Sequence, residues 1–136
     1  MNELQKLINE IGQWSELTFS HQNSISKLHH LQKEVAELIH AIEQTPSETV
    51  KNNEVNLEFA DCFILLLDAA RKEGLSATVI LNAIVEKMEI NKARKWGKPD
   101  ENGVMEHIRD NHKGKTRQVD DSDSITSSDA ITKFAC

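Results

Sequence analysis

The chain of 136 residues is poor in the residues that build disulfide scaffolds, sheets and rigid loops: two cysteines, two prolines, no tyrosine, 4% aromatics. Cys62 lies inside an apolar run and Cys136 ends the chain, so neither a disulfide framework nor a cysteine metal site follows from them. Cys62 reads as a small buried hydrophobe, and a reducing, cytoplasmic setting is expected. No stretch alternates apolar and polar residues over a useful length, which argues against strands. No apolar run reaches the ~18 residues that span a bilayer, and the opening MNELQKLINE carries charges where a signal segment would be apolar. A membrane partner is therefore not expected. Lysine and arginine number 16 against 22 acidic residues, a net charge of −6, which argues against a general nucleic-acid binder. A small anionic ligand stays open, because a bound metal ion inverts the local field.

What the sequence does have is helical spacing. Leu4, Leu7, Ile8, Ile11, Trp14 and Leu17 predict a helix over about 2–18. After the polar SHQNSIS, where Ser24 or Ser26 offers a cap, Leu28, Leu31, Val35, Leu38 and Ile42 predict a second over 26–44, ended near Pro46. A third spans 52–73 and stops at Gly74. The fourth is capped by Ser76, runs to about Trp96, and is closed by Gly97 and Pro99. DENGVMEHIRD then reads as an Asn-Gly turn and a short ordered piece. From residue 111 the chain is polar and rich in serine and aspartate, a tail expected to be flexible or held by a partner. The expectation is an all-α bundle of four to five helices in a domain over 1–110, with the tail over 111–136. The third helix is apolar nearly all round, which predicts a homo-oligomer, a dimer or a tetramer.

That same helix contains LEFADCFILLLDAA, where acids sit among its most apolar residues. At 100° per residue, with Glu54 at zero, Glu58 falls at about 40°, Asp61 at about −20° and Asp68 at about −40°. The four acids share one narrow stripe. On the second helix, LQKEVAELIHAI supplies Glu34 and Glu37 at i, i+3, on one side. Helices packed about 8–10 Å apart bring such pairs within reach of each other. Like charges so close stay ionised only if a cation neutralises them. An oxygen-only ligand set selects a hard ion, Mg²⁺ or Mn²⁺. Glu54 and Asp68 have a second reading as structural ion-pair partners, Asp68 with Arg71 or Lys72. In EKMEINKARKWGKP, Lys87, Asn91 and Arg94 fall within about 60° of one another on the fourth helix. Carboxylates with metal on one wall and cations on another suit a triphosphate.

The pattern Glu34-x-x-Glu37, then Glu58-x-x-Asp61, resembles the signature of the MazG-like all-α nucleoside triphosphate pyrophosphohydrolases. With LHHLQKEVAELIHAI, EFADCFILLLDAARKEG and INKARKWGKP, the resemblance narrows to the dATP/dGTP pyrophosphohydrolase branch, over residues 10 to 110. It implies hydrolysis of a purine (deoxy)nucleoside triphosphate to monophosphate and pyrophosphate. It also implies two or more Mg²⁺ or Mn²⁺ ions held by Glu34, Glu37, Glu58 and Asp61. Glu37, with Glu34, would be catalytic and orient or deprotonate the water, while Lys87, Asn91, Arg94 and Lys98 would contact phosphates or sugar. Trp14 is expected either to stack on the purine or to pack in the core, and His30 to hydrogen-bond a ligand or a metal-bound acid. The setting implied is a bacterial or phage-infected cell.

Two other classes compete. A di-iron carboxylate bundle needs two Glu-x-x-His pairs, and only Glu37 with His40 qualifies. A non-catalytic oligomerisation module would tolerate loss of the acids, yet all four are present.

Overall fold

A computed structural model describes residues 2–46 and 53–109. It falls into two compact units, residues 1–94 and residues from 95 onward. Among its described residues the first unit holds four helices: α1 (Glu3–Thr18), α2 (Ser24–Gln44), α3 (Asn53–Lys72) and α4 (Ala77–Ala93). The expected tail over 111–136 lies outside the described residues, and no fifth helix occurs among those described.

The boundaries follow from capping chemistry. Asn2 caps α1, its side-chain oxygen accepting from the Gln5 amide at 2.7 Å. Helix α2 begins two residues before the expected position because Asn23 is its cap. The Asn23 carboxamide accepts from the Ser26 amide while the Ser26 hydroxyl accepts from the Asn23 amide, both at 2.9 Å, a reciprocal capping box. Ser26 therefore serves inside the first turn. Helix α3 ends in a Schellman motif: the Leu75 amide donates to the Ala70 carbonyl and the Gly74 amide to that of Arg71. Gly74 takes φ of 85°, which a side chain would strain. Ser76 caps α4, accepting from the Val79 amide. That helix stops at Ala93 instead of running to Trp96. Arg94 turns extended, with ψ of 152°, and the residues that follow pair elsewhere.

Helix α2 lies along α3 as the principal pair, while α1 rests against α3 and α4. Ile8, Ile11, Leu38, Val55, Ala69 and Ala77 form the apolar core. Beside them lies a buried polar network. Lys27 is 1% exposed and Asp68 3%, and their Nζ–Oδ2 distance is 2.7 Å. Ser15 Oγ donates to Asp68 Oδ2 at 2.5 Å and accepts from Lys27 Nζ at 2.8 Å. Arg71 Nε donates to Asp68 Oδ1, and its Nη2 to Glu16, both at 2.8 Å. Three helices are tied together by one carboxylate.

Gly12 is where α1 lets Arg71 pass. A Cβ at that position would lie 2.7 Å from Arg71 Nε and 2.8 Å from Cδ. Asp68 and Glu16 pin the guanidinium, so it cannot simply swing aside. Gly12→Ala gains up to about 1 kcal/mol of helix propensity, and overpacking costs about 1–3 kcal/mol. The expected result in urea denaturation is a net loss of stability. A gain would mean that Arg71 moves without breaking its ion pairs.

The first unit leaves much apolar surface uncovered. Leu57, Phe63 and Leu66 on α3, with Val79, Ile84 and Val85 on α4, are each at least half exposed. In the second unit, described over 95–109, Trp96 and His107 form an isolated antiparallel bridge. The Asp100 carboxylate accepts from the amides of Asn102 at 2.8 Å and Val104 at 2.9 Å. Gly103, with φ of 78°, completes the expected Asn-Gly turn. Among the described residues, no helix is long and apolar enough to cross a membrane.

Candidate active site

The pairing of α2 with α3 brings Glu34, Glu37 and Glu58 to one place, and Asp61 is not in that group. One carboxylate oxygen each of Glu34, Glu37 and Glu58 lie within 4.8 Å of one another. Asp61, one turn after Glu58, shares a cleft lining with Glu34. Glu37, Asp61 and Glu54 are exposed, while Glu34 and Glu58 are half-buried. Glu58 Oε2 is out of contact with solvent and has no hydrogen-bond partner. Burial pushes the Glu58 carboxyl above its usual value, and the charges of Glu37, Asp61, Glu34 and Glu54 push the same way. An orphaned carboxylate oxygen among like charges is satisfied by a proton or a cation. The all-oxygen donor set fits a hard divalent ion.

Asp68 shares the stripe but not the cluster. Its ion pair with Arg71, one of the alternatives read from the sequence, is present, and Lys27 adds a second. Lys72 goes instead to Glu16, at 2.5 Å. His30 Nε2 stands 3.0 Å from Glu34 Oε1, a hydrogen bond that orients this carboxylate. His29 faces Gln32 on an exposed surface. Cys62 is only partly buried, a correction to its reading as a core residue. Burial, then the charges of Glu34, Asp61 and Glu58, hold its thiol above the ordinary range, so it stays protonated.

Beside the acids opens a cleft of about 90 Å³ lined by Trp14, Phe19, Lys27, His30, Glu34, Asp61, Ile64, Leu65 and Asp68. Trp14 is 53% exposed and meets Phe19 edge to face at 5.3 Å. It is thus a wall of the cleft and not a core residue. Ser15, Phe19 and Lys27 escaped the sequence reading altogether. The one available signal was that Lys27 lies on the Leu31/Leu38 face of α2, where a lysine needs a partner.

The basic residues are arranged differently. Lys87 and Asn91 are half-buried on α4, and Arg94 Nη1 donates to Asn91 Oδ1 at 3.3 Å. No α4 residue lines the cleft; α4 packs on α1. Lys98 is exposed in the second unit.

A sequence model of the dATP/dGTP pyrophosphohydrolase family matches residues 7–114. The chain belongs to this family. The dATP/dGTP diphosphohydrolase of Salmonella phage PMBT28 is 35% identical over 118 residues, 87% of this chain and 34% of that protein. That of cyanophage S-2L is 48% identical over 52 residues, 38% of this chain and 46% of that protein. The chain thus spans about a third to a half of these pyrophosphohydrolase relatives. Among solved structures, the cyanophage S-2L MazG-like pyrophosphohydrolase bound to dGDP and three catalytic Mn²⁺ ions per active site superposes with a TM-score of 0.60. It is 29% identical, and the match covers 80% of this chain and 100% of that one.

Proposed function

We propose that this protein hydrolyses the purine deoxynucleoside triphosphates dGTP and dATP to the monophosphate and pyrophosphate. The observation that carries the reading is the convergence of Glu34, Glu37 and Glu58, the last with a buried oxygen that has no hydrogen-bond partner. Glu34, Glu37, Glu58 and Asp61 would hold two or more Mg²⁺ or Mn²⁺ ions. Bound there, the ions supply Lewis-acid polarisation of phosphoryl oxygens and lower the pKa of water.

The side chains do the rest. Glu37, the exposed member of its pair, orients the attacking water and takes its proton, with Glu34 beside it. The water oxygen bonds to the α-phosphorus, and the α–β bridging oxygen leaves with pyrophosphate. His30 fixes Glu34 through their hydrogen bond and faces the substrate from the cleft. By likeness to the family, and from outside the cleft, Lys87, Asn91, Arg94 and Lys98 contact phosphates or sugar. Trp14 offers its exposed ring to the base, and stacking on an aromatic ring contributes about 1–3 kcal/mol in single-strand binders.

The test is a release assay over the eight common ribo- and deoxyribonucleoside triphosphates, measuring monophosphate and pyrophosphate together. Equimolar release from dGTP and dATP, lost on dialysis against EDTA and restored by Mn²⁺, is expected. Release of inorganic phosphate without pyrophosphate, or full activity after EDTA, overturns the reading. Alanine variants at Trp14, Lys87, Asn91, Arg94 and Lys98 in the same assay should raise KM; an unchanged KM removes that residue from the list.

The partner besides the nucleotide is a second copy of the chain. Exposed apolar patches of this extent on α3 and α4 mark interaction surfaces. Light scattering should give a dimer or tetramer, and a monomer at micromolar concentration would refute it. The reaction belongs in the cytoplasm of a bacterial or phage-infected cell. The catalytic domain is taken as residues 1–110, with 111–136 an appendage.

A further inference from the structure

The cleft has two ends of opposite character. At one end stand Glu34 and Asp61; at the other are Lys27 and Asp68, a buried ion pair that the hydrolytic chemistry does not use. Trp14, Phe19, Ile64 and Leu65 also line it. Apolar and aromatic walls suit a flat ring and repel a triphosphate, so a nucleotide with its phosphates on the acids directs its base this way. A space of about 90 Å³ holds several waters and admits the edge of such a ring.

The hydrogen-bond inventory at the closed end is uneven. A lysine ammonium has three N–H donors; Lys27 gives two of them, to Ser15 Oγ and Asp68 Oδ2. An ionised carboxylate offers about four lone-pair positions. Asp68 Oδ2 accepts from Ser15 and Lys27, and Oδ1 from Arg71. One donor on Lys27, whose ammonium lies 5.5 Å from the centre of the Phe19 ring, and one acceptor position on Asp68 Oδ1 are left over, on two side chains that both line the cleft.

We infer that the Lys27–Asp68 pair is the base-reading element of the site, recognising a purine edge that carries a hydrogen-bond acceptor next to a donor. The inference rests on the pyrophosphohydrolase reading and adds to it which groups of the base are required. Guanine offers O6 with N1–H, and adenine N1 with the N6 amino group, so one donor–acceptor pair serves both. Ser15 and Arg71 are positioning residues, since their bonds leave Lys27 and Asp68 with these particular vacancies in their hydrogen bonding.

The experiment keeps the wild-type protein and varies the substrate. The triphosphate of unsubstituted purine 2′-deoxyriboside has ring acceptors but no donor on that edge. It should show kcat/KM at least about tenfold below dATP, chiefly through KM, because a buried acceptor is left unpaired. N1-methyl-dGTP, with its donor blocked, should fall equally below dGTP, whereas deoxyinosine triphosphate should stay within about threefold of it. In parallel, dGDP is titrated into protein carrying ¹⁵N-lysine, with the Lys27 ammonium signal followed by NMR; a shift is expected. Equal use of the unsubstituted purine and dATP, or an unmoved Lys27 signal with dGDP bound, overturns the inference. If no triphosphate at all is hydrolysed, the failure belongs to the enzymatic reading instead.

Discussion

Glu58→Gln should abolish turnover and, in metal-free protein, raise the unfolding midpoint. The two effects have one cause. Glu58 has an unpaired, solvent-excluded oxygen, and one oxygen of its carboxylate lies within 4.8 Å of those of Glu34 and Glu37. Without a cation that arrangement is repulsive, and removing one negative charge relieves it. With a cation the same carboxylate is a ligand, and its loss should exceed the roughly 10–100-fold typical of outer-shell partners. The pH dependence has a definite sign. The folded-state pKa of Glu58 is raised, so the folded protein holds this proton longer than the unfolded chain does. Metal-free wild type is therefore relatively more stable below the ordinary glutamate value of about 4.3. It loses that advantage as pH rises through the raised value. In Glu58→Gln this part of the profile should flatten. Urea unfolding in EDTA at several pH values, with and without Mn²⁺, measures all of it. A destabilised Glu58→Gln that still gains stability from Mn²⁺ would make Glu58 a structural acid.

Lys27→Met should be the most damaging single substitution for stability, costing about 3–5 kcal/mol, as breaking one side of a buried ion pair does. It leaves Asp68 at 3% exposure without its principal counter-ion. A double variant, Lys27→Met with Asp68→Leu, should recover most of the loss, because two apolar side chains need no partners. Burial alone would push the Asp68 carboxyl up, but hydrogen bonds from Lys27, Ser15 and Arg71 outweigh it and hold the pKa below the usual aspartate range. A depressed folded-state pKa contributes stability that is fully present above the unfolded value of about 3.9. That contribution is lost as pH falls through the folded value. Wild type should therefore unfold in acid below about pH 4 with a slope that Asp68→Asn lacks. Chemical denaturation across pH 2–7 checks it. A Lys27→Met protein as stable as wild type would show that the pair contributes nothing to the fold.

The acid constellation could be read before any coordinates because it is local twice over. Glu34 with Glu37, and Glu58 with Asp61, are neighbours by helical geometry, and only the packing of two helices had to be supplied. Apolar spacing located the four helices, and Gly74 and Ser76 marked their junctions correctly. Asn23 was missed because its cap depends on a reciprocal bond with Ser26 that serine preference alone does not rank. The end of α4 was missed because pairing around Trp96 and His107 decides it, across a turn whose closure propensity does not show. Least legible was Lys27 with Asp68. A lysine in SISKLHH looks like a solvated residue until a third helix places Ser15 beside it.

Both halves of the acid set ride on one helix pair, and this makes the alignment of that pair a functional variable. Sliding α2 along α3 by a single turn, about 5.4 Å, would carry Glu34 and Glu37 away from Glu58. The Lys27–Asp68 bond crosses the same two helices and acts as a permanent pin against such slippage. A divalent ion, when present, is a second clasp further along. Loading the metal should therefore slow amide exchange along the whole α2–α3 seam, well beyond the turns that carry the ligands.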